Sequence, residues 1–161
     1  AKKHTEYSFV VKPHPLLRFK CAQEGFLSEE EYDNYMAEWN SLPNATVYTE
    51  GNYFDIFKTS DILITDSSSF LAEYFYSKKP IIFFDNKNRA GFNEFGLKLR
   101  KGFYIPSKTE DVEDLLEKLL IKKQDDLKEI RKKIIEKEFY YPKDGIGHNI
   151  VKYIKKEFGR K

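Results

Sequence analysis

Apolar positions along the chain come in short runs separated by stretches of helical period. Residues 6–11, "EYSFVV", are apolar and β-branched and predict a strand that ends at "KPHP". "SEEEYDNYMAEWN" follows, with Ser28 and Glu31 at capping-box spacing and Tyr32, Tyr35, Met36 and Trp39 on one helical stripe, and Pro43 closes that helix. "ATVY" (45–48) predicts a second strand, "NYFDIFKTS" a short helix, and the continuous apolar "DILIT" (61–65) a third strand. Three serines then open a predicted helix that runs to about Ser77 and stops before Pro80. "PIIFF" (80–84) and "GFYI" (102–105) predict the fourth and fifth strands. Thr109 is the expected N-cap of "EDVEDLLEKLL", whose Val112, Leu115, Leu116, Leu119 and Leu120 form one apolar stripe. Helical patterns near 125–138 and 145–158 end the chain.

Strands that alternate with helices and are apolar throughout imply a parallel sheet covered on both faces. The expected fold class is therefore α/β, a Rossmann-like parallel sheet with helices on both faces. Ligands of such sheets bind beyond the carboxyl ends of the strands, where this chain places "KPHP" and "TDSSS".

Composition narrows the picture. At 161 residues the chain suffices for one domain with a real core, and 14 Phe and 11 Tyr argue against disorder. Its lone Cys21 excludes an internal disulfide framework and suits a reducing cytoplasm. No Walker A loop, GxGxxG fingerprint or zinc-type Cys/His spacing is present, so no metal or cofactor is required by the pattern. The net charge of +2 hides an asymmetry. From residue 118 onward there are 14 Lys and Arg against 7 Asp and Glu, while residues 1–117 carry 14 against 19. Two readings fit this basic end: a solvated helix face, or an edge that meets anionic lipid or a polyanionic acceptor.

The run "ILITDSSSFLAEYF" (62–75) carries the chemistry most open to reading. Small residues at a strand-to-helix turn let an anion approach backbone N–H groups, and the hydroxyls of Ser68 and Ser69 add donors, which suits a phosphate or diphosphate. The plainer reading is that Asp66 or Ser67 caps the helix and the other serines are bystanders. His14, between Pro13 and Pro15, is held at a strand end where it can donate to a phosphoryl oxygen or transfer a proton; equally, it is a loop histidine. Lys12 is either a phosphate partner or a strand-end lysine in solvent. His4 earns no role, and His148 reads as a surface or packing residue.

Taken together, "KPHP" at 12–15 and "FKTSDILITDSSSFLAEYFYSKKPIIFF" at 57–84 resemble the CDP-glycerol glycerophosphotransferase family of teichoic acid and capsular polymer synthesis. "KGFY" (101–104) and "KDG" (143–145) extend the resemblance over most of the chain. It implies the carboxyl-terminal, donor-binding half of a GT-B architecture. It implies that His14 acts at the donor diphosphate, and that Lys12, Thr65, Asp66, Ser67, Ser68 and Ser69 form the donor-phosphate site, with Ser67 standing where the family has tyrosine. The implied partners are CDP-glycerol, a lipid-linked or polymeric acceptor, and an amino-terminal domain; nucleic acid is not among them. The implied location is cytoplasmic, with peripheral attachment to the inner face of the membrane. The family's Trp-His-Gly segment, which carries another catalytic histidine, has no counterpart here, since Trp39 is followed by Asn40. The expectation is thus a single donor-binding domain, 1–161, of a longer chain, inactive alone. A GT-B enzyme using a UDP- or CMP-sugar, and a non-catalytic Rossmann-like interaction module, are the alternatives.

Overall fold

Phe9 hydrogen-bonds to Asn44 and Tyr48 to Val11, and these backbone N–H···O bonds of 2.8 Å bracket the first pair of strands. In the computed structural model, which describes residues 1–86, 90–140 and 142–159, the chain divides into two compact units, 1–58 and 59–161. The first contains β1 (Phe9–Val11), α1 (Leu17–Gln23), α2 (Glu29–Ser41), β2 (Ala45–Val47) and most of α3 (Phe54–Thr59). β1 and β2 are parallel, with Phe9 opposite Ala45 and Val11 opposite Val47. α2 begins as its sequence predicts: the Ser28 hydroxyl accepts from Glu31 N at 3.1 Å, and Ser28 N donates to the Glu31 carboxylate at 2.7 Å. Tyr32 is the buried member of its stripe, while Trp39 packs edge-on to Tyr35 and tilted against Phe9. Asn44 ties the amino-terminal segment to β2, donating to the carbonyls of His4 at 2.8 Å and Tyr7 at 3.0 Å.

The second unit contains β3 (Leu63–Thr65), α4 (Leu71–Phe75), β4 (Ile81–Phe83), α5 (Glu94–Arg100), α6 (Asp111–Leu116), a π-helical turn (Glu117–Ile121), α7 (Lys128–Glu138) and α8 (Ile146–Phe158). β3 and β4 are parallel, with Leu63 opposite Ile81 and Thr65 opposite Phe83. β4 is the centre of this unit's core: Ile81, Ile82 and Phe83 are all fully buried, as a strand covered on both faces requires. Phe75, Phe83 and Phe103 pack as tilted and edge-on rings, and the Phe75 ring stacks on Phe139.

A mixed α/β architecture with parallel strands was expected, and it is observed. The pairing is in two two-stranded sheets, each strand three residues long. The expected fifth strand contracts to one parallel bridge, Tyr104 to Ile82, because Gly102 sits under a buried arginine rather than in a ladder. Arg131, fully buried, donates to the carbonyls of Lys78 (3.1 Å) and Gly102 (3.3 Å) and pairs with Asp125, whose carboxylate also accepts from the Tyr104 hydroxyl at 2.9 Å.

Two caps differ from expectation. α6 has Glu110 at its N-cap position, not Thr109; Thr109 lends only its backbone carbonyl, and the Asp111 carboxylate reaches back to the N–H groups of Ser107 and Lys108. α4 begins at Leu71, two residues beyond the last serine, with Phe70 at the cap and no side-chain bond. Helices α1 and α5 go beyond the sequence pattern.

Candidate functional site

β3 ends at Thr65, and the turn that follows is built from hydroxyls. Thr65 Oγ1 accepts from Ser67 N at 3.0 Å, and Ser67 Oγ in turn accepts from Ser69 N at 3.3 Å while lying 3.4 Å from Ser69 Oγ. These local bonds offer the backbone an alternative to helix, which is why α4 starts late. Neither Asp66 nor Ser67 caps it, so the simple capping account of the serines does not hold. Ser67 is half-buried, while Asp66, Ser68 and Ser69 are exposed.

Ser68 differs from its neighbours. Within the described residues its N–H and its hydroxyl form no hydrogen bond, and only its carbonyl is used, accepting from Leu71 N at 3.4 Å. It also lines a cleft of about 380 Å³, walled by Leu71, Ala72, Phe92, Phe95 and Phe103. Asn93 shapes one side of this cleft: its Oδ1 accepts from Gly96 N at 2.8 Å and so caps α5. Behind the turn, burial pushes the Tyr74 hydroxyl up to about 12, against the opposing effect of its 3.1 Å bond with Ser60.

In the first unit, His14 follows β1. Its carbonyl accepts from Leu17 N (2.8 Å) and its ring Nδ1 accepts from Leu16 N (3.1 Å), so the imidazole holds the turn that leads into α1. An Nδ1 that accepts carries its lone pair there, which places the proton of the neutral ring on Nε2. His14 is exposed, and its Nε2–H forms no hydrogen bond among the described residues. The ring thus has one nitrogen in a structural bond and one without a partner among the described residues.

Lys12 is not a solvent lysine. Its ammonium donates to the Glu50 carbonyl at 2.8 Å and lies over the rings of Tyr48 (5.3 Å) and Tyr53 (5.5 Å). Three donors on an ammonium leave capacity beyond the Glu50 bond. Tyr48, Glu50 and Tyr53 went unnoticed in the sequence because their link to Lys12 is a contact between segments some 40 residues apart. Among the described residues no group of His, Cys, Asp or Glu side chains is placed to hold a metal ion.

These features define a mixed α/β protein whose strand-end segments carry hydroxyl, imidazole and ammonium donors. The family is given by the whole chain. The family model for CDP-Glycerol:Poly(glycerophosphate) glycerophosphotransferase matches residues 1–156, and the protein belongs to that family. Its members are transferases of teichoic acid synthesis, for which the family description implies CDP-glycerol as donor and poly(glycerophosphate) as acceptor. No curated protein and no solved structure matches the chain.

Proposed function

We propose that this chain is the donor-binding domain of a glycerophosphotransferase, and that the turn after β3 holds the donor phosphates. The observation that carries this reading is Ser68, whose backbone N–H and hydroxyl are both unengaged among the described residues, in a turn where the hydroxyls of Thr65 and Ser67 accept from backbone N–H groups. Ser68 and Ser69 supply the donors to phosphate oxygens. Thr65 and Ser67 hold the turn in shape. Asp66, which offers no donor when ionised, orients the turn rather than contacting phosphate. In the first unit Lys12 offers positive charge and His14 an Nε2–H, both donors that a phosphate oxygen accepts.

In the reaction an acceptor hydroxyl attacks the β-phosphorus of CDP-glycerol. A new P–O bond to the acceptor forms, the bond to the bridging oxygen breaks, and CMP leaves. Charge gathers on the transferring phosphoryl and the departing phosphate, and fixed hydroxyl, amide and imidazole donors stabilise it. The histidine of the family's Trp-His-Gly segment has no counterpart in this sequence, so transfer requires a second domain that supplies it. A Rossmann-like core in a GT-B arrangement is the framework this assignment calls for, with the acceptor lipid-linked or polymeric and the site at the inner face of the membrane.

Calorimetric titration with CDP-glycerol, CDP, UDP-GlcNAc and inorganic pyrophosphate tests the reading, repeated on Ser68→Ala/Ser69→Ala. Cytidine-selective binding that weakens about tenfold or more in the double variant is the expected result. Selective binding of the uridine donor would replace the donor. Equal affinity in wild type and double variant would remove the serines from the site.

A further inference from the structure

The cleft beside Ser68 has apolar walls and one amide at its edge. Leu71 and Phe103 are buried members of the wall, Phe92 is held against the core ring of Phe83, and Phe95 packs on Phe139 with 37% of its surface open. These rings are placed by packing that needs no ligand. A volume of about 380 Å³ lies near the lower end of the roughly 300–1,000 Å³ that small-molecule sites occupy. The amide is Asn93. Its Oδ1 is committed to Gly96 N at 2.8 Å, which settles the way the side chain faces, since only its oxygen accepts from a backbone N–H. Both hydrogens on Nδ2 remain, and among the described residues they form no hydrogen bond.

A donor diphosphate at the turn after β3 carries two organic groups, a glycerol and a nucleoside. Glycerol has an oxygen on every carbon, and aromatic walls would strip those oxygens of water without replacing it. A pyrimidine brings two apolar faces for the walls and a polar edge for the amide. Cytosine presents O2 and N3 side by side, both acceptors, and the two hydrogens of an amide NH2 match them. Uracil has N3–H in the middle of that edge, so the same amide meets a donor with a donor and one of them goes unpaired.

We propose that this cleft holds the base of the donor nucleotide, and that Asn93 selects cytosine over uracil through its Nδ2 hydrogens while Phe92 and Phe95 cover the ring. This rests on the donor phosphates lying at the turn after β3, which by itself tells no nucleotide from another.

Calorimetric titration of the whole chain with CDP, UDP and inorganic pyrophosphate tests it, on wild type, Asn93→Asp and Ala72→Leu. Aspartate is as good an N-cap as asparagine, so α5 keeps its start, but its second oxygen accepts and cannot donate. Wild type should favour CDP over UDP by about tenfold or more, and Asn93→Asp should reverse the order, because uracil N3–H then meets an acceptor. The added charge weakens CDP and UDP alike and cancels from their ratio. Ala72→Leu, which enlarges a side chain on the cleft wall, should weaken both nucleotides about tenfold and leave pyrophosphate unchanged. Circular dichroism melts check that both variants fold as the wild type does. A CDP-to-UDP ratio near one in wild type, a ratio that Asn93→Asp leaves unmoved, or no binding of CDP would overturn the proposal. The two readings fail separately. Pyrophosphate binding unchanged in Ser68→Ala/Ser69→Ala removes the serines from the phosphate site, whereas weakened pyrophosphate binding there with an unmoved ratio in Asn93→Asp removes the base site alone.

Discussion

Arg131 lies across Gly102 so closely that a β-carbon at position 102 would stand 2.7 Å from the arginine Cγ and 2.9 Å from the Phe75 ring. The glycine of "KGFY" is therefore a packing requirement. Gly102→Ala should cost about 1–3 kcal/mol, the usual penalty of overpacking a closed core. Arg131→Met should cost more, about 3–5 kcal/mol, because the Asp125 carboxylate and the carbonyls of Lys78 and Gly102 lose a buried partner. Urea denaturation of the two variants checks the order.

Ser28→Ala should destabilise the chain by about 1 kcal/mol, the worth of one N-cap. The Ser28 backbone N–H, and then its hydroxyl, hold the Glu31 carboxyl below its ordinary range. A lowered carboxyl stabilises the fold above its ordinary pKa, and the contribution is lost as pH falls through the lowered value. Thermal melts should therefore show the Ser28→Ala difference shrinking under acid.

Tyr74 sets an alkaline limit. Its hydroxyl is raised from 10 to about 12 by burial, so the folded form retains the proton that the unfolded chain releases. This stability is intact below pH 10 and falls by about 2–3 kcal/mol as pH rises from 10 to 12. Tyr74→Phe should flatten that part of the pH profile. Melts taken from about one unit below the ordinary tyrosine value to about two units above it measure it.

The two ring nitrogens of His14 can be separated. In His14→Asn the amide oxygen can replace Nδ1 as acceptor for Leu16 N, so stability should change by less than about 0.5 kcal/mol. Affinity for CDP-glycerol should fall on the order of tenfold, the loss of one hydrogen bond to a charged group. Calorimetry beside a melting curve gives both numbers; unchanged affinity would confine His14 to its structural bond.

Lys12→Met removes the bond to the Glu50 carbonyl and the cation seated over Tyr48 and Tyr53. The expected loss is about 1–2 kcal/mol. It should appear as faster amide hydrogen exchange in residues 48–53, with α2 unaffected.

What could be read in advance was local. The Ser28–Glu31 box, Pro43 after α2, and the apolar runs of β1 to β4 depend on neighbours in sequence, and each is where its pattern placed it. α1 was illegible because its N-cap is Leu16, with no capping side chain, and its charge partners lie elsewhere: Arg18 forms a two-pronged pair with Asp33, fifteen residues on, and another with Glu29. α5 did leave a signal, Asn93 three residues before Gly96, at ordinary capping distance. Thr109 was a sound candidate displaced by Asp111, whose carboxylate satisfies two N–H groups at once. The segments "KPHP" and "TDSSS" were legible as places for chemistry. The division of labour inside them was not, because it depends on which hydroxyls bond to each other and on what Lys12 meets across the unit.

The turn Glu117–Ile121 gives this chain a reserve of length. Its backbone bonds span five residues instead of four, as from Lys122 N to the Glu117 carbonyl at 2.9 Å. A π-turn holds one residue more than an α-helix uses over the same stretch. Leu116 and Leu119 are both buried across this widened turn. Excising a single residue here would let the ladder close into ordinary α-helix, so a deletion that breaks an ordinary α-helix becomes, in this turn, a change of phase.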